Sequence, residues 1–341
     1  MNQLDQLKTL CDSALSLYST KVRKNFKTFF IQTMLIYATT FIRINFSQMG
    51  RLSSSCEQRY RQNFEKKFNW IAFNKFFLSM LPMRRCAIAL DPNFISKSGK
   101  HTPGLAYFWS GTAGTIKRGL EILGFAVVDA DSNDAIFMCA KQTRADKVDK
   151  GRRPDCLKWC KGNSSLIEQY LRAIHSNKTE FLKTSNLFVA DAFFSVYPFV
   201  EGLATMGFNI EGKKTQTRKM FFSTDTTMEA IDIFDIYRAR FQEEFLFRNA
   251  KGFMGLEHCQ ARSEKKLDFA FNMSLATVKM VKYMAHRMEI EKNIKLSVQD
   301  MKIMFCALIK GLTNLKFFQS MPHSRATLYL IYIGQPSSSD V

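Results

Sequence analysis

The sequence predicts an α/β chain: a mixed sheet flanked by helices, preceded by an all-helical region. Three features carry that expectation. Residues 1–85 hold a single proline, Pro82, and a single glycine, Gly50, so little interrupts a helical reading there. From about Arg85 the pattern changes to short apolar runs bounded by turn residues, as strands require. After residue 160 such runs alternate with segments of helical spacing.

With 341 residues, 46% of them hydrophobic, the chain can bury a substantial core and is no disordered polymer. Lys and Arg outnumber Asp and Glu 49 to 30, a net charge of +19, which points to a polyanionic partner. The excess is concentrated, since the first 85 residues carry 14 Lys and Arg against 4 Asp and Glu. Of eight cysteines, only Cys156 and Cys160 in "CLKWC" lie close together. No second pair completes a zinc site, so the cysteines read as reduced, mostly buried thiols of an intracellular protein. The opening "MNQLDQLKTLCDS" is polar, so no secretory leader is expected. The run "FFIQTMLIYATTFI", flanked by Lys27 and Arg43, is too short to span a bilayer and should form a core helix.

Within the basic N-terminal region, "NFSQMGRLSSSCEQRYRQNFEKKF" reads as a short helix, a Gly/Ser turn and a second helix. Ser54 and Glu57 have capping-box spacing. The second helix would present Arg59, Arg61, Lys66 and Lys67, which suits a helix laid on DNA as well as an ordinary solvated one. "CAIALDPNFI", "GLEILGFAVVDAD" and "AIFMCAKQT" follow as three strands of a meander, the first ending in Asp91. A basic loop, "RADKVDKGRRPDC", leads to the amphipathic helix "NSSLIEQYLRAIHS". Then come a buried strand in "NLFVADAFFS" ending at Asp191, the helix "YPFVEGLATMG" and a short strand, "KMFFSTDTT". Thr226 or Thr227 would cap a long helix in which Ile231, Phe234, Phe241 and Phe245 form an apolar stripe, expected to pack inward. Three antiparallel strands followed by strand–helix alternation describe an RNase H-like sheet. The expected divisions are a helical DNA-binding domain over 1–84, the sheet domain over 85–285 and a helical region over 286–341.

In such a sheet the first and fourth strands are neighbours, so Asp91 and Asp191 should face one another, with Glu244 lowered onto them from the long helix. Three carboxylates so close repel each other and raise their own pKa values unless a cation lies between them. Oxygen-only ligands select Mg²⁺, with Mn²⁺ as a substitute, and two such ions can drive in-line displacement at a phosphodiester.

Tyr237, Arg240, Glu244 and Lys251 fall within about 60° of one another on the helix wall at roughly 100° per residue. Their spacing, Tyr-x2-Arg-x3-Glu-x6-Lys, resembles the YREK signature of DDE transposases of bacterial insertion sequences. "ALDPNFISKSGKHTPGLAYFWSGTAGTIKRGLEI" resembles the family's first-aspartate region and "LFVADAFFS" its second; the similarity runs from about Cys86 to Lys279. The resemblance implies a carboxylate triad, Asp91, Asp191 and Glu244, holding two Mg²⁺ ions. Water would attack at the element's ends, and the freed 3′-OH would attack target DNA. Tyr237, Arg240 and Lys251 would contact the double-stranded DNA near the cut. Lys97, Lys100 and His101 would either meet phosphates or form a plain solvated loop. Relatives act as dimers on paired ends, and a cytoplasmic, nucleoid-associated bacterial protein is implied.

One departure stands out: only 53 residues separate Asp191 from Glu244. Relatives often carry a strand-rich insertion there, and "GFNIEGKKTQTRKMFF" reads like a truncated fifth strand joined to the next one. The alternatives to an active transposase are therefore a shortened derivative that binds element ends without cutting, and an RNase H-like nuclease for some other nucleic acid.

Overall fold

A computed structural model describes residues 2–18, 22–79, 84–144, 154–160, 165–215 and 219–309. Most of the basic loop at 144–156 and the chain beyond 309, with most of the expected C-terminal region, lie outside the described residues.

Five helices come first: α1 (Gln3–Tyr18), α2 (Lys24–Thr39), α3 (Phe46–Arg51), α4 (Glu57–Asn63) and α5 (Trp70–Leu78). The apolar run of α2 is a core helix, with Phe29, Phe30, Met34 and Tyr37 buried. Among the described residues no helix is long and apolar enough to cross a membrane. The capping box is not formed. Cys56 precedes α4 without a side-chain cap, Ser54 accepts from Gln32, and Glu57 instead accepts from Ser47 and Arg61. Because α4 stops at Asn63, Lys66 and Lys67 lie beyond the helix expected to carry them.

The sheet holds β1 (Cys86–Ser96), β2 (Ala106–Ser110), β3 (Thr115–Asp129), β4 (Asp134–Thr143), β5 (Leu187–Val189), β6 (Asn209–Thr215) and β7 (Lys219–Ser223). Its order is β4–β3–β1–β5–β6–β7, with β2 paired to the start of β3. β4, β3 and β1 are antiparallel, whereas β5 and β6 continue parallel to β1. This is an RNase H-like arrangement, with β7 folded back on β6 as a hairpin. β6 has seven residues, so the strand that looked truncated is longer than β5; the hairpin tip at 216–218 is outside the described residues. β2 was not expected. Its "AYFWS" exposes Tyr107 and Trp109 and gives no buried apolar run to detect.

The other helices are α6 (Leu166–His175), α7 (Lys178–Leu182), α8 (Tyr197–Thr205), α9 (Ala230–Ala239), α10 (Phe241–Phe253), α11 (Glu264–Lys292) and α12 (Val298–Ile309). Ser165 caps α6 by accepting from the Glu168 amide. Thr227 instead hydrogen-bonds Asp225, and Glu229 precedes α9. The boundary expected at 285 falls inside α11.

α11 joins the two halves of the chain in one continuous core. Phe269 is ringed by Phe26, Phe29, Phe30, Phe64, Phe68 and Trp70, with centroids 4.6–6.5 Å away. Three residues on, Asn272 turns to the sheet: it accepts from the Ala140 amide at 2.8 Å and donates to the Ala140 carbonyl at 3.0 Å. Asn74 of α5 donates to the carbonyl of Met138, at the bulge in β4. Two asparagines thus satisfy backbone groups that an edge strand leaves open. Asn272→Leu, which strands both Ala140 groups in the core, should lower unfolding free energy by about 2–4 kcal/mol; urea denaturation at fixed pH measures it.

Candidate active site

β5 covers only Ile88 and Ala89 of β1, so the parallel edge of β1 is bare from about Asp91 onward, where Pro92 is tolerated. Asp91 is therefore mid-strand and not at its end: β1 continues to Ser96 because β3 still pairs with it there. Asp191 lies two residues past β5, where the chain turns into a single 3-10 turn, Ala192–Phe194, and its carboxylate accepts from the Phe193 amide at 3.0 Å. Both aspartates consequently sit at the opening where β5 ends.

The third carboxylate arrives on α10. Asp91 pairs across the β1–β3 ladder with Gly124, and a Cβ at Gly124 would lie 2.5 Å from Phe247 Cζ and 2.9 Å from Glu243 Oε1. The missing side chain lets α10 settle onto the sheet. The helix face that settles is not the expected one. Ile231, Phe234, Phe241 and Phe245 are 59%, 41%, 43% and 37% exposed, while Ile236, Tyr237, Arg240, Glu243, Leu246, Phe247 and Ala250 are buried. The Tyr–Arg–Glu–Lys line does border the buried face, but the phenylalanines beside it are on the solvent side. The helix also breaks at Arg240, where α9 hands over to α10.

Arg240 stands between the carboxylates. Its Nη2 is 2.9 Å from Glu244 Oε1 and its Nη1 is 3.8 Å from Asp91 Oδ1, with Arg240 only 5% exposed, Asp91 17% and Glu244 43%. The guanidinium also lies over the rings of Tyr237 and Phe241. Burial pushes the Asp91 carboxyl up to about 7; Arg240 opposes this, and Glu244 and Asp191 add to it. Burial likewise opposes the charge on Arg240, yet Glu244 and Asp91 raise its pKa overall.

Glu243, which sequence reasoning passed over, is fully enclosed beside this group. Neither of its oxygens has a hydrogen-bond partner, and burial followed by the nearness of Asp91 raises its pKa well above the ordinary value. Beneath the site, Tyr170 of α6 donates to Glu121 of β3 at 2.6 Å. Only the spacing of Glu243 from Arg240 and Phe247 on one helix face could have pointed to it.

The donor set of Asp91, Asp191 and Glu244 is all oxygen and suits a hard divalent cation. In this arrangement Arg240 is the cation between two of them, and among the described residues no three His, Cys, Asp or Glu side chains converge as ready metal ligands. Cys156 and Cys160 are both buried.

The basic residues divide into committed and open ones. Lys251 donates to the Phe94 carbonyl at 2.6 Å. Lys97 donates to the carbonyls of Glu257 and Cys259. Burial lowers the pKa of both lysines. Arg59 donates to the Asn25 carbonyl, Arg61 is paired with Glu57, and Lys66 donates to Asn63; Lys67 is exposed. Lys100 and His101, together with Arg43 and Arg262, line a cavity of about 360 Å³ at the far end of β1. Gln260 and Arg262 also line a second cavity of about 750 Å³, with Arg51, Arg61 and Lys266. Sequence reasoning missed Arg43, Arg51, Arg262 and Lys266, whose convergence depends on the turn between α10 and α11.

No family model matches the chain, and no curated protein matches it. Among solved structures it is similar to one described as the piggyBac transposase synaptic complex with hairpin DNA. The identity is 9%, over 98% of this chain and 84% of that one, with a TM-score of 0.44.

The raised pKa of Asp91 fixes a sign. Its contribution to stability is complete below its ordinary value of 3.8 and is lost as pH rises through about 7. Metal-free protein should therefore lose about 2–4 kcal/mol more between about pH 5 and about pH 8 than Asp91→Asn does, as read by denaturant unfolding at each pH. Gly124→Ala should cost about 1–3 kcal/mol by overpacking and displace α10; the same unfolding measurement and the assay below check both effects.

Proposed function

We propose that this chain is a DNA-processing enzyme of the DDE transposase type, cutting DNA at element ends and joining the freed strands to target DNA. The observation that carries the reading is the pairing of Asp91 and Glu244 with Arg240 at the open edge of β1, with Asp191 just past the end of β5 and the Tyr–Arg–Glu–Lys spacing along the helix. Those three would hold Mg²⁺, or Mn²⁺ in its place; bound there, the ions would activate the attacking oxygen and stabilise the leaving one. Asp91 presents its carboxylate from a strand held by β3, and Asp191 is oriented by the Phe193 amide. Glu244, the most exposed of the three, reaches in from α10.

DNA would run from this opening along the outer part of β1 into the two cavities lined by Arg43, Lys100, Arg262, Arg51, Arg61 and Lys266. Tyr237 and Arg240, largely buried beside the carboxylates, would meet phosphates next to the scissile one. Lys251 and Lys97 brace the backbone on which Asp91 sits. A homodimer on paired DNA ends, and residues 1–84 as its DNA-binding part, belong to the same reading.

A second reading has its own support: a chain that binds element ends without cutting. Arg240 already neutralises two of the three carboxylates, as a metal-free site would need.

Nicking of supercoiled plasmid in Mn²⁺ at low salt, beside Asp191→Asn and Glu244→Gln, separates the two. Cutting by the wild type alone supports the enzyme; equal background in all three, with the plasmid still retarded on a gel, supports the binding protein. In either case the double variant Arg43→Ala with Arg262→Ala should bind DNA more weakly at every sequence tested. It should also flatten the log–log salt dependence by about one unit for each cation removed.

A further inference from the structure

Two polar groups in the core of the site have no partner: the Nε of Arg240 and both carboxyl oxygens of Glu243. They lie one helical turn apart, at i and i+3, and the Arg240 charge acts on Glu243. Meanwhile the other end of the Arg240 guanidinium is committed outward, to Glu244 and Asp91. A buried carboxyl with nothing to bind is costly unless some state of the molecule uses it.

We propose that Arg240 is a tethered cation keeping the seat of the divalent ion between Asp91 and Glu244, and that Glu243 is the acceptor that receives the guanidinium when metal enters. This deepens the reading of the site as a metal centre and rests on it. An arginine suits the task, because its planar fork can pair with one carboxylate at a time from either edge while staying charged. Tyr237 and Phe241 flank the guanidinium, so it can turn between two carboxylates with aromatic rings on its sides throughout. The arrangement keeps Asp91 and Glu244 from facing each other uncompensated in the metal-free protein. It also makes the ion compete with the side chain for the same oxygens, so the apparent metal affinity is reduced by the fraction of molecules in which Arg240 holds the seat.

The test is Mn²⁺ binding to the full chain without DNA, followed by the electron paramagnetic resonance signal of free Mn²⁺. Native folding of each variant is checked by circular dichroism. Arg240→Gln should bind Mn²⁺ roughly tenfold or more tightly than wild type, and Arg240→Lys, whose point charge cannot fork, should fall between them. Glu243→Gln should weaken binding when Arg240 is present and have no effect in the Arg240→Gln background. Wild-type binding left unchanged or weakened by both Arg240 variants would overturn the proposal, as would a Glu243→Gln effect of equal size in both backgrounds. If no folded variant binds Mn²⁺ more tightly than Asp91→Asn, the reading of the site as a metal centre fails, and this proposal with it.

Discussion

One turn of α11 ties the molecule together. Phe269 gathers the aromatic residues of the N-terminal helices, and Asn272, next along the same helix face, takes both backbone groups of Ala140. The first contact is apolar and non-directional; the second is directional and sets the register between helix and edge strand. Because α10 leads into α11 through a turn anchored by Lys97 on the carbonyls of Glu257 and Cys259, the placement of the acidic site inherits its precision from that docking. The basic N-terminal region thereby shares one continuous core with the sheet.

The sheet and the acidic residues were legible in the sequence because they rest on local signals. Apolar runs broken by turns gave β1, β3, β4, β5 and β7, and Asp91 and Asp191 stood out as carboxylates within apolar surroundings. The buried face of α9 and α10 was not legible, since hydrophobicity alone favours the four residues Ile231, Phe234, Phe241 and Phe245. What decides the matter is Gly124, more than a hundred residues away in the chain, which opens room for Glu243 and Phe247. Lys97 and Lys251 illustrate the same limit. In sequence they look like any solvated cation, and only the fold reveals that their ammonium groups satisfy backbone carbonyls.

Charge in this protein is handled by position more than by number. A net charge of +19 would suggest unpaired cations everywhere, yet Lys279 and Lys282 converge on Asp134 and Arg85 reaches Asp131 and Asp232. In the two cavities near Arg262, Arg61 is paired with Glu57 and Lys266 with Glu65, yet among the described residues Glu257 is the only acidic one along their walls. The field there is less diluted than the overall count implies.

The outer part of β1 has a mechanical meaning. Beyond Asp91 the strand continues through Ser96 with β3 alongside, a reach of about 17 Å at strand rise, and β2 extends the ribbon on β3. No glycine interrupts β1, so it has no hinge between its tip and the carboxylate. The ribbon is held at Phe94, whose carbonyl accepts from Lys251. Its exposed aromatic side, at Tyr107 and Trp109, is joined through β3 to the strand that carries Asp91, so a partner gripping the ribbon would bear on the strand that aims the site.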